Sequence, residues 1–587
     1  MLPEPRRGKA DPRRALKYRW VLLLWGLLGW NTTFCSAEEA VSAQVVVYGG
    51  SSAGVIAAVQ AARMGRRVLL IEPGRHLGGL SSGGLGATDF GRRESIGGLA
   101  REFYRRVKRH YDEPSAWVHE KRESYRSQGH DPQDEVMWYF EPHVAEKIFH
   151  DLLREAGVRV VFGERLDLKR GARRSGSQIQ SILMESGREY RGDVFIDATY
   201  EGDLMACAGV SYHIGREANA VYGETLNGLQ SKRVVHGGHQ FSRPVDPYVL
   251  PGDPRSGLLF GVTPAPVGQE GSGDAQLQAY CFRLCLTDVP SNRVPFPKPE
   301  GYDPARYELL LRYLLSEGTG RQFPDHPNPN PVENPGLGYD PFTVIMPNRK
   351  TDSNSKGAIS FNFVGGNSGY PDGDYAARER MIEEHERWQK GLLWFLQNEP
   401  RVPSRFREPL RHWGLAKDEF ADHGHWPHQL YVREARRMIG EVVMTEADCT
   451  GTRRLEDSVG LGSYGIDSHT VQRYVSEGGW ALNEGGLGGG VPQPYGISYR
   501  ALIPKREQCE NLLVPVCCSA SHVAYGSIRM EPVYMILGQS AGAAAALAVE
   551  SGGAVQEVDY ARLRDGLVKG GQRLVWPLPS SARQGQP

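Results

Sequence analysis

Residues 45–72 constrain the fold more than any other part of the sequence. The apolar run 45–48 leads into the glycine-rich turn 49–54, an alanine-rich stretch at 55–64, and a second apolar run at 67–71 that is closed by an acid. A strand, a glycine-rich turn, a helix, a strand and an acid within about 30 residues are typical of a dinucleotide-binding βαβ unit. The sequence therefore predicts a Rossmann-like α/β fold with a nucleotide site at the turn.

Two features of this unit would hold the nucleotide. The turn lets the backbone approach a pyrophosphate, and the helix N-terminus offers free N–H groups and a positive dipole. The predicted contacts are Gly49, Gly50, Ser51, Ser52, Ala53 and Gly54, together with Glu72, whose carboxylate would accept ribose hydroxyls. Ser51 replaces the middle glycine of the fingerprint, and its hydroxyl could replace a backbone contact. On this segment alone, an ordinary βαβ turn without nucleotide is the alternative.

A loop with six glycines, residues 73–86, follows and looks like a segment laid along a ligand. With this loop the chain resembles the FAD-dependent oxidoreductases of the glutathione-reductase-like flavoprotein superfamily. More closely it resembles an exported FAD-dependent oxidoreductase family related to the flavin subunit of heterodisulfide reductase. The resemblance implies FAD as the cofactor, taken to be bound non-covalently. It adds Pro73, Gly74, Arg75, Gly79 and Leu80 to the predicted contacts.

Two downstream segments support the resemblance. Residues 190–204 read as a strand followed by Ala198 and Thr199, with Tyr200 where the family commonly has glycine. Residues 511–516 read as a strand that leads into an alanine-rich helix continuing to about Val549. The family closes its FAD site with this strand and helix, which adds Ser527, Ile528 and Met530 to the implied contacts. A helix dipole there would stabilise negative charge on the reduced flavin.

The resemblance also implies a domain plan. It consists of a signal peptide at 1–37, an FAD-binding domain of glutathione-reductase type at 38–215 and 496–552, an inserted α+β substrate domain at 216–495, and a C-terminal helix and disordered tail at 553–587. Residues 322–340 read as a loop, and residues 372–398 as one long amphipathic helix.

The catalytic candidates are His522, Arg529, Tyr525 and Arg433. His522 follows the last predicted strand and suits acid–base work because histidine titrates near neutral pH, with a structural histidine that bonds this loop as the alternative. Arg529 could offset charge on reduced flavin or bind a substrate carboxylate, with a structural pair to Glu531 as the alternative. Tyr525 is equally ambiguous between a catalytic and a structural role.

Arg433 belongs to a run of arginines whose spacing predicts a helix. Arg433 and Arg437 are four residues apart and would share one helical face. Such a pair could bind an anionic substrate. Structural ion pairs with Glu434 and Glu441 are the alternative.

No metal centre is predicted. Seven cysteines remain after residue 37, without CxxC or zinc spacing, and the iron–sulfur motifs of the related subunits have no counterpart, so clusters are disfavoured. His423, His425 and His428 invite a metal interpretation but lack a carboxylate or cysteine frame. Cys517 and Cys518 could form a redox-active pair, although small buried residues are the usual interpretation.

The N-terminus predicts export to the periplasm or the extracellular space. A basic stretch precedes the apolar run 20–30 and the small residues 35–37, as in a secretory signal, by either the general or the twin-arginine route. An uncleaved anchor is the alternative. Without residues 1–37 the chain has 62 basic and 67 acidic side chains, which gives no electrostatic reason to expect nucleic acid or an anionic membrane surface. No second segment is long enough to predict a membrane span.

Two functions fit this sequence. The first is an enzyme that dehydrogenates a small polar substrate, a sugar or a hydroxy acid, by hydride transfer to flavin N5, with an unknown electron acceptor. The second is an electron-transfer flavoprotein related to heterodisulfide reductase that serves a protein partner. The long insertion favours the first function.

Overall fold

The fold is described from a computed structural model, which defines residues 41–231, 239–264, 268–316, 343–355 and 357–577. Its helices are α1 (Ser52–Arg63), α2 (Gly98–Asp112), α3 (Pro142–Ala156), α4 (Asp203–Cys207), α5 (Asn219–Tyr222), α6 (Glu308–Leu315), α7 (Tyr375–Asn398), α8 (Ser404–Leu410), α9 (Glu446–Cys449), α10 (His522–Ile528), α11 (Glu531–Ser551) and α12 (Tyr560–Lys569). Its strands are β1 (Val41–Ser42), β2 (Val45–Tyr48), β3 (Val68–Glu72), β4 (Arg159–Phe162), β5 (Ala172–Ser175), β6 (Gln178–Leu183), β7 (Glu189–Arg191), β8 (Val194–Asp197), β9 (Tyr212–Ile214), β10 (Leu286–Thr287), β11 (Arg293–Val294), β12 (Gly414–Ala416), β13 (Arg436–Met438), β14 (Ser458–Gly462), β15 (Ile466–Asp467), β16 (Gln472–Val475), β17 (Ala481–Glu484), β18 (Gly488–Gly489), β19 (Tyr495–Ser498) and β20 (Leu512–Leu513).

The central sheet has five parallel strands in the order β20, β8, β2, β3, β4. Tyr48 of β2 pairs with Ile71 of β3 on one side and with Asp197 of β8 on the other. Strands β2 and β8 are buried throughout, as expected for a parallel sheet that is covered on both faces. The predicted α/β fold with a Rossmann-like parallel sheet is confirmed.

The strand order creates a crevice at the end of β2. The chain runs outward from β2 to β3 and β4, then returns to place β8 on the opposite side of β2. Connections that leave β2 in opposite directions open a gap at the carboxyl ends of the strands, where open α/β sheets bind ligands.

Helices α1 and α11 pack closely against each other beside this sheet. A Cβ at Gly538 or Gly542 would lie 2.3 Å from the carbonyl oxygen of Ala53 or Ala57, respectively, so only glycine allows the two backbones to approach this far. Helix α11 is long and apolar enough to cross a membrane by length and composition alone, but 89% of that segment is buried inside the protein. It is therefore a core helix of this fold.

Short antiparallel strand pairs and helices α5 to α9 lie in the region 216–495. Strands β10, β12 and β11 form one sheet, and β16 pairs with β17. The predicted long helix at 372–398 is confirmed as α7. The boundaries of the inserted domain stay a prediction.

Two local predictions are wrong. The arginine run is extended and not helical, because Arg436–Met438 pairs as β13 with β9 and not with its own preceding turn. The last strand covers only Leu512 and Leu513, since Val514 donates its N–H to the Leu502 carbonyl and Pro515 has no N–H to donate. The predicted signal segment, the loop 322–340 and the tail from residue 578 lie outside the described residues.

Candidate functional site

The turn after β2 depends on the hydroxyl of Ser51, the residue that departs from the glycine fingerprint. Its Oγ accepts the Gly54 N–H at 3.3 Å and donates to the Ala198 carbonyl at 2.6 Å. A Cβ at Gly54 would lie 1.9 Å from the carbonyl oxygen of Gly49. Ser51 therefore caps α1 and ties it to the end of β8, while Gly54 has no room for a side chain.

A cavity of about 500 Å³ lies in the crevice at the ends of β2, β3 and β8. The predicted cofactor contacts that line it are Gly49, Gly50, Ser51, Glu72, Pro73, Gly74, Arg75, Gly79, Ala198 and Thr199. The opposite wall comes from Tyr370, from Ile382 of α7, and from residues between 422 and 430. Three distant segments of the predicted site therefore meet in one cavity.

The remaining predicted contacts do not line this cavity. Ser52, Ala53 and Gly54 form the first turn of α1, and Leu80 is buried in the loop after Gly79. Ser527, Ile528 and Met530 lie where α10 ends and α11 begins.

The carboxylate of Glu72 closes one end of the cavity. Its Oε2 accepts the Gly50 N–H and its Oε1 accepts the Gly74 N–H, both at 2.6 Å. Burial raises the pKa of this carboxyl to about 7, against the lowering effect of the two amide hydrogen bonds. The group is therefore ionised only above roughly neutral pH, which makes it a titratable acceptor in the cavity wall.

Two stacked histidines form another part of the wall, and sequence reasoning did not pair them. The rings of His76 and His428 lie 3.9 Å apart. His76 contacts Glu146 at 3.0 Å and Asp422 at 3.3 Å, and the hydrogen bond that it donates to the Glu146 carboxylate raises its pKa. Burial lowers the pKa of His428 to about 3, and neither of its ring nitrogens has a partner within the described part of the chain.

The other two histidines of the H-x-H-x-x-H pattern have separate partners. His423 Nδ1 lies 2.9 Å from the Trp426 carbonyl, and His425 Nδ1 lies 3.2 Å from the Glu419 carbonyl. His428 instead stacks on His76. The pattern thus forms a backbone-bonded loop beside the cavity.

Glu531 connects the three segments around the cavity, a role that the sequence did not indicate. Its carboxylate accepts hydroxyl hydrogen bonds from Ser52 at 2.6 Å, Ser81 at 2.9 Å and Tyr200 at 2.8 Å. The Tyr200 oxygen also accepts the Leu80 N–H at 2.8 Å. Tyr200, which stands where glycine is common in the family, is therefore part of a buried network that joins α1, the glycine-rich loop and α11.

The glycine-rich loop leads from the cavity to a second buried polar group. Gly79 lines the cavity, a Cβ at Gly84 would lie 2.1 Å from the Arg283 carbonyl oxygen, and the Ala87 N–H donates to Asp352 at 2.9 Å. Asp352 in turn accepts two hydrogen bonds of 2.6 Å from the Arg283 guanidinium.

Three arginines surround one phenol at this place, and we call them, with that tyrosine, the Tyr431 cluster. The guanidinium carbons of Arg283, Arg433 and Arg529 lie 5.8, 4.1 and 5.9 Å from the Tyr431 ring centroid. All four residues are buried. Arg283 and Arg529 each have a carboxylate partner, Asp352 and Asp467, so Arg433 is the cation of this cluster without a counterion among the described residues.

Arg529 has a different partner from the one considered in the sequence. It pairs with Asp467 at 2.6 Å and donates to the Tyr431 hydroxyl at 2.8 Å, while Glu531 belongs to the network described above. The alternative pairing of Arg529 with Glu531 is therefore wrong. The two residues lie on either side of the break between α10 and α11, so their side chains diverge.

His522 is buried next to a carboxylate. Its Nδ1 lies 2.8 Å from Glu434 Oε2, and its Nε2 has no partner among the residues that the structure describes. Burial and the nearby Arg437 and Arg216 lower its pKa to about 3. The imidazole is therefore neutral over the working range of most enzymes.

Tyr525 of α10 and the neighbouring residues Cys517 and Cys518 are buried. The Tyr525 hydroxyl contacts the Val516 carbonyl at 3.1 Å and the Tyr534 hydroxyl at 2.8 Å. Burial raises the pKa of the Cys517 thiol well above its usual range and that of Cys518 to about 12. Since the thiolate is the reactive form, these positions disfavour thiol chemistry near neutral pH.

Comparison with known proteins gives a family match over most of the chain. The family model described as FAD dependent oxidoreductase matches residues 44–567. No curated protein sequence matches the chain.

Solved protein structures resemble smaller parts of it. OxyS anhydrotetracycline hydroxylase from Streptomyces rimosus is 15% identical with a TM-score of 0.21, over 30% of this chain and 36% of its own. L-proline dehydrogenase from P. horikoshii is 19% identical with a TM-score of 0.21, over 30% of this chain and 59% of its own. L-amino acid deaminase from Proteus vulgaris is 16% identical with a TM-score of 0.23, over 30% of this chain and 53% of its own. Each match spans less than two thirds of the solved protein.

Proposed function

Because this chain belongs to the family of FAD-dependent oxidoreductases, we propose that it dehydrogenates a small polar substrate, a sugar or a hydroxy acid. Family membership makes the protein an oxidoreductase with FAD as its cofactor. The substrate class is our proposal, and the Tyr431 cluster is the observation that supports it. The glycine-rich loop runs from the cavity to this cluster. A polar molecule held by the arginines would therefore lie at the far end of the loop from the nucleotide site.

The residues of the cavity fit the nucleotide part of FAD. Gly49 and Gly50 of the turn line the cavity without side chains that would fill it, and Glu72 offers a carboxylate acceptor for ribose hydroxyls. Arg75 and the unpartnered ring nitrogens of His428 are polar groups in the wall that a phosphate or ribose could satisfy. When bound, FAD supplies a two-electron acceptor that takes a hydride at its N5 atom.

Glu72 makes cofactor affinity depend on pH. If its carboxylate accepts the ribose hydroxyls, FAD binds the ionised form, and a free-state pKa of about 7 means that binding weakens as the pH falls below that value. We expect affinity about tenfold weaker near pH 6 than near pH 8. Fluorescence titration of the apoprotein with FAD measures this difference. Glu72→Gln should remove the pH dependence; a variant that keeps it would place the titrating group elsewhere.

The chain must also accept the proton that leaves the substrate, and we propose His522 for this role. The imidazole is neutral, and with its Nδ1–H donated to Glu434 the Nε2 lone pair can accept a proton. Because burial and the nearby arginines lower the pKa of His522 to about 3, the imidazole would hold the proton only transiently, with Glu434 beside the imidazolium that forms. The arginines of the Tyr431 cluster would orient the polar groups of the substrate.

Turnover with a chemical electron acceptor tests this function. The purified holoenzyme is mixed with a dye acceptor and a panel of sugars, hydroxy acids and amines. We expect at least one of these molecules to support dye reduction. Reduction of the dye only in the presence of a partner protein would instead favour the electron-transfer alternative.

A further inference from the structure

Arg433 differs from the other arginines of the Tyr431 cluster because its charge has no counterion. Arg283 pairs with Asp352 and Arg529 pairs with Asp467. Arg433 is 1% exposed, yet in the described ranges of the chain no carboxylate lies within salt-bridge distance of it. A guanidinium removed from water without a compensating anion is unfavourable, so binding of an anion would stabilise this residue.

The hydrogen bonds of Arg433 are all made by one nitrogen and all reach neutral groups. Its Nη2 contacts Ser355 Oγ at 2.9 Å, Cys281 Sγ at 3.2 Å, and the Oδ1 atoms of Asn354 and Asn362 at 3.3 Å each. Its Nε and Nη1 are buried and have no acceptor among the described residues. Two charged donors on one side chain therefore lack an acceptor within the described residues.

The surroundings of Arg433 reinforce its positive charge. Arg283 and Arg529 face the same tyrosine ring. Arg283 Nη1 lies 3.9 Å from Asp89 Oδ2, and Arg529 Nε has no hydrogen-bond partner in the described part of the chain. Burial and these two neighbours lower the pKa of Arg433. An anion at this place would satisfy the unpartnered donors and offset the repulsion between the arginines.

Arg473 shows that a buried arginine without a carboxylate partner does not by itself indicate a ligand site. It too is buried, and its contacts are also neutral, but its Nε and Nη2 both donate, to Asn483 Oδ1 and the Ala358 carbonyl at 2.9 Å. Arg433 combines the missing counterion with unpartnered nitrogens and a cluster of like charges.

We infer that Arg433 binds the carboxylate of an acidic small-molecule substrate, which makes a hydroxy acid and not a neutral sugar the substrate class. This inference rests on the proposed dehydrogenase function. A charged acceptor on a buried guanidinium forms a strong, directional hydrogen bond, whereas a neutral hydroxyl would leave the cation uncompensated. Arg433 thus acts as a specificity-determining residue.

The first measurement compares carboxylates with neutral analogues on the holoenzyme. The probes are glycolate, L-lactate and D-gluconate, each matched with ethylene glycol, 1,2-propanediol or D-sorbitol. We expect at least one carboxylate to raise the Tm and perturb the absorbance of the bound flavin, and its neutral partner to do neither. No response to any of the three carboxylates would overturn the inference.

The second measurement uses Arg433→Met, with Arg437→Met as its matched control. Arg437 is equally buried but carries both Glu217 and Glu434, so its loss leaves two buried carboxylates unpaired. We expect Arg433→Met to keep its FAD and to have a Tm within about 2 °C of the wild type, while Arg437→Met loses more than about 5 °C. Arg433→Met should bind the responsive carboxylate at least about thirtyfold more weakly, and Arg433→Lys should restore part of the affinity.

Each contrary result has a defined meaning. If Arg433→Met is as unstable as Arg437→Met, the charge is compensated within the protein and the inference is wrong. Loss of FAD from Arg433→Met would mean that the cation faces the cofactor, and an unchanged carboxylate response would place the anion elsewhere. Flavin reduction by a neutral polyol alone would overturn the inference and leave the proposed function standing. Carboxylate binding without flavin reduction by any molecule would leave this inference standing and overturn the proposed dehydrogenase function.

Discussion

Gly54→Ala is expected to abolish FAD retention and to destabilise the fold by about 3 kcal/mol or more. The added Cβ would lie 1.9 Å from the Gly49 carbonyl oxygen and 3.0 Å from the Ala198 side chain. The backbone at residue 54 must therefore move away from the backbone of Gly49. That movement displaces the turn and breaks the cap that Ser51 places on α1. Thermal unfolding and the ratio of flavin to protein absorbance measure the two effects.

Gly566→Ala in α12 is the matched control. A Cβ there meets nothing within 4 Å, and the position lies inside a helix. The same substitution should therefore stabilise the protein by about 0.5–1 kcal/mol and leave the flavin content unchanged. Normal flavin content in Gly54→Ala would show that the turn after β2 does not hold the cofactor.

Glu531→Ala is expected to lower stability by about 3–5 kcal/mol and to release most of the bound FAD. The substitution leaves the hydroxyls of Ser52, Ser81 and Tyr200 without their common acceptor inside the protein. Because these residues belong to α1, the glycine-rich loop and the segment after β8, the walls of the cavity lose their connection. Denaturant unfolding and flavin content measure the loss.

Glu531→Gln removes the charge of the carboxylate but keeps a hydrogen-bond acceptor in this network. The amide oxygen still accepts two hydrogen bonds, so we expect a loss of only about 1 kcal/mol and retained flavin. If Glu531→Ala is as stable as Glu531→Gln, the three hydroxyl contacts contribute little, and the cavity walls must be held by other packing.

The central sheet and the turn could be predicted from the sequence because their signals are local. The run 45–48, the glycines after it and the acid at 72 lie within a single βαβ unit, and the structure reproduces them as β2, α1 and β3. The long helix α7 follows from its apolar periodicity for the same reason. Where residues adjacent in sequence decide the conformation, the sequence is sufficient.

The polar networks could not be predicted because they join residues far apart in the chain. Ser52 and Glu531 are 479 positions apart, and the stack of His76 on His428 depends on a loop that reaches the cavity from the other wall. The arginine run misled for a related reason: an i, i+4 pair indicates a helix only if tertiary pairing does not extend the chain, and here β9 extends it. That Arg433 has no counterion among the described residues can likewise be recognised only when the positions of the surrounding carboxylates are known.

Anaerobic bleaching of the bound flavin tests whether this protein dehydrogenates a hydroxy acid. The holoenzyme is sealed without oxygen and titrated with sugars, hydroxy acids and amines, while the absorbance of the oxidised flavin is followed. We expect a hydroxy acid to bleach the flavin with about one molecule consumed per flavin. A flavin that no small molecule bleaches, but that a partner protein reduces rapidly, would contradict it.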